Sequence, residues 1–353
     1  MAALCVYAGF ASEWERSTGV KLAIVQQLAE RFREGVARKL LDRGITATLR
    51  LVYDAASIPH DAVVIFACAL GTESSTTFAH ASACASAPAL WDWVSPKHTY
   101  MAALVAAGIP IPQSWLVAGT DGGGVRTADL TGGSSLAECT IGPDSAAMLL
   151  GILQEQGLQH MVVKECSALG GTLAVRRLDA PQAVARAFEL AVAGRCALLQ
   201  PDLSEYFSHG ETKCCVALLS QADPLDPTAR TSQVLGARHA PPGKEFGQFI
   251  SPEALPPELH RVATGAADVL RAHALTAGIP LPPVVRVDTI QLPSTLSRVN
   301  SLPWCVNEFE LADFASWMWE SACDCGRGTS GHAIDDAVCD AHARFIADAL
   351  HGK

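Results

Sequence analysis

Apolar positions recur along the chain at two periods, and the switches between them mark out the elements. LCVYAGF is a nearly continuous apolar run of strand length, whereas KLAIVQQLAERFREGVARKLLDRG repeats at the helical period and meets a stop at Gly44. ITATLRLVY returns to strand, and DAVVIFACAL reads as a strand buried on both faces. Strand, helix and strand predict a βαβ unit, and with it an N-terminal α/β domain over residues 1–94. In SPKHTYMAALVAAGIPIP, Ser95 is placed to cap a helix, Pro96 suits its first turn, and Gly108 with Pro110 ends it. The glycine-rich WLVAGTDGGGVRTADLTGGSS reads as a loop.

Beyond it, a helix is expected near Asp144 to Gln156, followed by HMVVKECSALGGTLAVRRL, two β-rich runs joined by a turn of small residues. PQAVARAFELAVAG is helical and CALLQPDL is a strand, so a second region covers residues 95–199. Over residues 200–353, KCCVALLS and SQVLGARHA pair as a hairpin across DPLDPT, and PPELHRVATGAADVLRAHALTAG is a helix stopped by Gly278. VVRVDTI is a strand with VNEFEL as its partner, and IDDAVCDAHARFIADAL is helical. The overall class is α/β in the first region and α+β in the other two.

Composition narrows the function classes. Hydrophobic residues make up 49% and charged residues 18% of the 353 positions, yet no apolar run reaches the roughly 18 to 20 residues a membrane span needs. A formal net charge of -10 argues against nucleic acid, whose nonspecific binding rests on clustered Lys and Arg. MAALCVYAGF lacks the basic start of a secretory signal, so a cytoplasmic protein with no membrane partner is expected. The 12 cysteines form no CxxC pair and fit buried thiols in a reducing compartment. Cys323, Cys325, His332, Cys339 and His342 are candidates for zinc, but their spacing is looser than structural zinc sites use, which favours a loop followed by an amphipathic helix.

The chemistry-bearing residues fall at strand and helix ends. Strand alternation puts Glu308 and Glu310 on one face of VNEFEL, and Arg286 and Asp288 on one face of VVRVDTI. Pairing these strands gathers three carboxylates and a guanidinium, a constellation suited to magnesium and a transferred phosphoryl group; a surface hairpin with ordinary salt bridges is the alternative. Lys164 leaves a buried strand just before a small-residue turn with Gly170 and Gly171, where backbone N–H groups can close over phosphates, although any hairpin can look the same. Lys97 stands at a helix start, where the helix dipole disfavours a cation unless an anion is present. Gln200 ends an apolar strand, where its amide can meet a planar base or be an ordinary polar residue at a strand end. Glu211 can accept from ribose hydroxyls or be solvated.

Taken in order from about Trp91 onward, these segments resemble the ATP-grasp superfamily of carboxylate–amine ligases. SPKHTYMAALVAAGIPIP is similar to the segment in which a lysine opens a helix, MVVKECSALGGTLAV to the phosphate-loop hairpin, LLQPDLSEYFSHGE to the adenine hinge, and RVDTI with VNEFEL to the metal-binding strands. The resemblance implies an N-terminal βαβ domain plus two α+β subdomains gripping ATP between them. It implies that Lys97, Lys164, Gly170 and Gly171 serve the ATP phosphates, that Gln200, Asp202 and Leu203 line the adenine hinge, and that Glu211 holds ribose. Asp288, Glu308 and Glu310 would bind Mg2+, Arg286 would stabilise the γ-phosphate in flight, and Arg238 would face phosphate or substrate. The implied reaction joins a small-molecule carboxylate to an amine through an acyl phosphate, releasing ADP and phosphate, in a protein whose relatives are frequently homodimers. The glutathione synthetase-like and cycloserine-biosynthesis-like group is the nearest in flavour, and ELADFASWMW fits the apolar helix that follows its last strand. Within that group Gly247 replaces an expected basic residue, ISPEALPPE replaces a glycine-rich stretch, and Glu310 stands where many ligases carry asparagine. A nucleotide-binding module without ligase activity and an ATP-grasp kinase are the rival readings.

Overall fold

The computed structural model describes residues 3–10, 22–70, 78, 80–85, 88–94, 96–120, 124–132, 140–141, 145–166, 176–203, 211–218, 232–240, 248–292, 304–311 and 330–351. The chain forms two compact units. One comprises Met1–Asp92, Thr212–Asp288 and Phe309–Lys353, and the other Trp93–Glu211 and Thr289–Glu308.

The first unit opens with β1 (Leu4–Phe10), α1 (Leu22–Asp42), β2 (Leu49–Val52), β3 (Val63–Leu70) and β4 (Ala83–Cys84). Every pairing in this sheet is parallel, in the order β2-β1-β3-β4, so the expected βαβ unit is present with α1 as its crossover. Val25, Leu28, Ala29, Phe32, Val36 and Leu40 recur every three or four residues along α1 and are all buried. Gly44 ends the helix region at φ 73°, a left-handed conformation that a side chain disfavours.

The second unit carries α2 (Pro88–Val94), α3 (Lys97–Ala106), β5 (Trp115–Gly119), β6 (Val125–Asp129), β7 (Thr140–Ile141), α4 (Ser145–Glu155), β8 (His160–Glu165), β9 (Arg176–Asp179), α5 (Ala180–Val192) and β10 (Ala197–Pro201). Six strands form an antiparallel sheet in the order β7-β6-β5-β10-β8-β9. Two expectations need correction. Pro96 is the residue capping α3 and not part of its first turn; Ser95 lies outside the described residues. More importantly, the stretch read as a loop is a hairpin: β5 pairs β6 from Trp115 opposite Asp129 to Gly119 opposite Val125. The strands approach each other at Thr120 and Gly124, and residues 121–123 lie outside the described residues. Thr120 N–H donates to the Gly124 carbonyl at 2.8 Å, and Gly124 N–H donates to Thr120 Oγ1 at 3.0 Å. WLVA in β5 is fully buried, and burial outweighs weak local signals in a sheet interior.

A five-stranded sheet of order β13-β12-β11-β14-β15 is built from β11 (Glu211–Leu218), β12 (Ser232–Ala240), β13 (Gln248–Ile250), β14 (Val284–Gln291) and β15 (Trp304–Glu310). In the first unit α6 (Pro257–Thr276) packs on β12, and α7 (Ser330–Leu350) packs along α1 and on β12. The α1/α7 seam is apolar inside and ionic at its edge. Asp336 pairs with Arg38 at 2.9 Å and with Lys39 at 2.5 Å, while Asp340 pairs with Arg43 at 2.8 Å. Inside, a Cβ built on Gly35 would stand 2.6 Å from Cys339 Sγ, so the absent side chain makes room for the thiol.

His342 lies in the same seam, fully buried, with its ring edge-on to Phe32 at 5.0 Å. Its Nδ1–H donates to the Val338 carbonyl at 2.9 Å, and burial holds its pKa down at about 4. Burial pushes the Cys339 thiol up to about 12. Cys339 and His342, weighed above as zinc candidates, therefore serve helix packing here; Cys323 and Cys325 lie outside the described residues, as does ELADFASWMW beyond Leu311. Among the described residues no helix is long and apolar enough to cross a membrane.

Candidate functional site

In the second unit, strand alternation decides which side chains leave the helical face of the six-stranded sheet. Trp115, Val117, Met161, Val163, Ala197 and Leu199 are buried together with residues of α4 and α5. Their alternates, including Leu116, Val162, Lys164, Leu198 and Gln200, share the opposite face, with Lys164 directly across from Leu198 and Val162 across from Gln200. Gln200 is 1% exposed. Its Nε2 donates to Ser114 Oγ at 2.9 Å, and Ser114 Oγ in turn donates to the Pro112 carbonyl at 2.7 Å. The remaining amide oxygen, Gln200 Oε1, has no hydrogen-bond partner among the described residues. A buried acceptor in that state costs about 1–3 kcal/mol, so this oxygen is open to an N–H or O–H donor.

Lys97 opens α3. Its backbone N–H donates to the carbonyl of Cys166, the residue after β8, at 3.1 Å, and its ammonium pairs with Glu308 Oε1 at 2.5 Å. The carboxylate offsets the unfavourable cation at a helix N-terminus. His98, next in the helix, has its pKa lowered by burial, which disfavours a second positive charge there. At the expected hinge, Asp202 N–H is already engaged with the His160 carbonyl at 2.9 Å and its carboxylate pairs with Arg177. The Leu203 side chain packs with Ile290, Leu292 and Cys305. Glu211 begins β11. Gly170, Gly171 and Gly247 lie outside the described residues.

In the first unit the focus is β14. Arg286 and Asp288 are 6% and 2% exposed, and their side chains meet in a two-point bond, Nε to Oδ1 at 2.8 Å and NH2 to Oδ2 at 3.0 Å. Glu310 Oε2 lies 4.0 Å from Arg286 NH2, and Lys213 Nζ on β11 lies 3.7 Å from Asp288 Oδ2. Two carboxylates and two cations thus gather with formal charges that cancel. Arg238 is also buried, on β12 opposite Phe249. Lys213 is the member that the sequence reading missed; the available signal was a lysine opening the otherwise apolar strand KCCVALL.

The expected three-carboxylate set is thus divided: Asp288 and Glu310 attend Arg286, whereas Glu308 is engaged with Lys97. Among the described residues no three His, Cys, Asp or Glu side chains are grouped to hold a metal. The donor chemistry nonetheless suits magnesium, which takes a few carboxylate oxygens and completes its shell with water and phosphate.

No protein-family model matches the sequence, and no curated protein matches it. Solved structures do match. A D-cycloserine synthetase is similar over 98% of this chain and 100% of its own, with a TM-score of 0.55 and 18% identity. D-alanyl-alanine synthetase A from Vibrio cholerae aligns over 98% and 100% with a TM-score of 0.55 and 10% identity. A RimK domain ATP-grasp protein from Sphaerobacter thermophilus aligns over 97% and 99% with a TM-score of 0.52 and 14% identity. The chain has the ATP-grasp fold. At these identities the ATP-grasp likeness is one of architecture.

Proposed function

We propose that this chain is an ATP-dependent ligase that joins a small-molecule carboxylate to an amine. The observation that carries the reading is the buried Arg286–Asp288 pair with Lys213 and Glu310 around it, in a chain of this fold. Burying the Arg286–Asp288 pair costs several kcal/mol of hydration per ion, and apolar residues of the same volume would serve a purely structural core as well or better. A charge cluster that is neutral by itself is suited to receive a phosphate group together with its own cation. Mg2+, held by Asp288 and Glu310 with Glu308 as the further ligand, would neutralise the charge developing on the transferred phosphoryl group.

The chain's own residues have separable roles. Lys97 and Lys164 hold phosphate oxygens, and Lys97 exchanges its carboxylate partner for them. Gln200 Oε1 accepts from the base, Glu211 from ribose, and Asp202 and Leu203 line the hinge. Arg286 stabilises the phosphoryl group as the substrate carboxylate attacks the γ-phosphorus and the bond to the β-phosphate oxygen breaks. The resulting acyl phosphate is attacked at carbon by the amine, phosphate departs, and the amine loses a proton to leave the amide. Arg238 neutralises phosphate or substrate charge. Catalysis is positioning and charge stabilisation, with no covalent enzyme intermediate.

The test is ADP and phosphate release from Mg-ATP with a panel of amino acids and small peptides, alongside thermal-shift titration with ATP. Substrate-dependent ADP release with a new amide product is the expected result. Nucleotide-dependent stabilisation without turnover across the panel would favour the binding module, and a persistent phosphoester without free phosphate would favour the kinase.

A further inference from the structure

β8 and β10 run antiparallel with Leu198 opposite Lys164 and Ala197 opposite Glu165, and the next pair along this register is Cys196 opposite Cys166. The two are tied through the backbone: Cys166 N–H donates to the Cys196 carbonyl at 2.9 Å. Residues facing each other across an antiparallel ladder have Cα atoms about 4.5–5.5 Å apart. That separation falls inside the ~4.4–6.8 Å Cα range that disulfides span.

The two thiols also act on each other's ionisation. Donation from Cys166 S–H raises the Cys166 pKa and holds Cys196 down at about 7; burial reinforces the first shift, and Lys97 and Glu165 act on Cys166 with opposite signs. Cys196 is half-buried beside the exposed residues 192–195, whereas Cys166 is 1% exposed. One sulfur is thus accessible and readily ionised, with a second directly behind it. Burial instead raises the thiols of Cys5, Cys215 and Cys339.

We propose that Cys196 and Cys166 form a thiol–disulfide exchange site, with Cys196 attacking, Cys166 resolving, and a low-molecular-weight disulfide as co-reactant. The Cys196 thiolate attacks one sulfur of the small disulfide, whose S–S bond breaks to release one small thiolate. Cys166 then gives up its proton, and its sulfur attacks Cys196 Sγ in the mixed disulfide, releasing the second small thiolate. Two protein thiols and one small disulfide become one protein disulfide and two small thiols, so the two electrons and two protons lost by the protein are taken up by the co-reactant. Excess small thiol reverses the exchange. The bond ties the end of β8 two residues after Lys164, at the carbonyl that accepts from Lys97 N–H. The site does not depend on the ligase reading.

The full chain is incubated with oxidised glutathione near neutral pH, its free thiols are alkylated, and its peptides are mapped by mass. The expected result is loss of two of the 12 alkylatable thiols as a linked Cys166–Cys196 peptide pair, restored by dithiothreitol. Cys166→Ser should accumulate glutathione on Cys196, and Cys196→Ser should leave Cys166 a thiol. The proposal is overturned if both cysteines of the wild-type chain are recovered alkylated, or if Cys196 stays unmodified in Cys166→Ser. The wild-type mapping stands even if a variant fails to fold.

Discussion

His342 offers a prediction whose size follows from its surroundings. In the α1/α7 seam the ring is fully buried against Phe32, with one nitrogen committed to the Val338 carbonyl, and its pKa falls from an ordinary 6.5 to about 4. A group whose folded pKa is depressed stabilises the fold above the unfolded value and loses that contribution as pH falls toward the folded one. At about pH 5 the unfolded chain binds a proton at this residue almost completely, while the folded chain scarcely does. The ratio of binding polynomials is about 30, equivalent to ~2 kcal/mol of stability lost between about pH 7.5 and about pH 5. Urea unfolding of the wild type and of His342→Leu at both pH values measures it. The wild type should lose ~2 kcal/mol more than the variant over this interval; packing changes caused by leucine cancel, because each protein is compared with itself. Equal losses would refute the assignment of a buried neutral imidazole.

Three further outcomes follow from contacts described above. Arg286→Ala removes the two-point partner of the buried Asp288, leaving Lys213 at 3.7 Å, and should cost about 3–5 kcal/mol in urea unfolding, part of which the double variant Arg286→Ala/Asp288→Ala recovers; no recovery would mean that the pair is not what holds this region. Glu308→Gln should abolish ADP formation while changing stability by less than about 1 kcal/mol, because Glu308 is half-exposed; full retained turnover would remove it from the metal set. Gly35→Ala sets a helix-propensity gain of about 1 kcal/mol against an overpacking cost of about 1–3 kcal/mol. It should destabilise the wild type but stabilise a Cys339→Ala background, and stabilisation of both would show that Sγ yields without cost.

Legibility in the sequence tracked how far each feature depends on distant partners. α1 was readable because its burial follows the helical period and β3 because it is one continuous apolar run, and Gly44, Gly108 and Gly278 marked helix ends that indeed have positive φ. The β5–β6 hairpin was missed because its identity rests on pairing Trp115 with Asp129 and Gly119 with Val125, while the glycines of the stretch dominated the local signal. The same contrast holds at the site. Arg286 and Asp288, two residues apart, share a strand face that alternation alone predicts. Lys213 joins them only because β11 lies next to β14, and Glu308 turns to Lys97 across a sequence separation of 211 residues, which no periodicity reveals.

The seam between α1 and α7 also sets an order of events on the ribosome. The face of α1 around Phe32 and Gly35 is completed by side chains of Cys339 and His342, about 300 residues later in the chain. A nascent chain that has made the first sheet must carry that apolar face uncovered through synthesis of everything between, whereas most of the second unit comes from the single stretch Trp93–Glu211 and can close on itself much earlier. Chaperone capture during translation should therefore concentrate on α1, and a stop codon placed shortly before α7 should yield a chain whose second unit folds while its first aggregates.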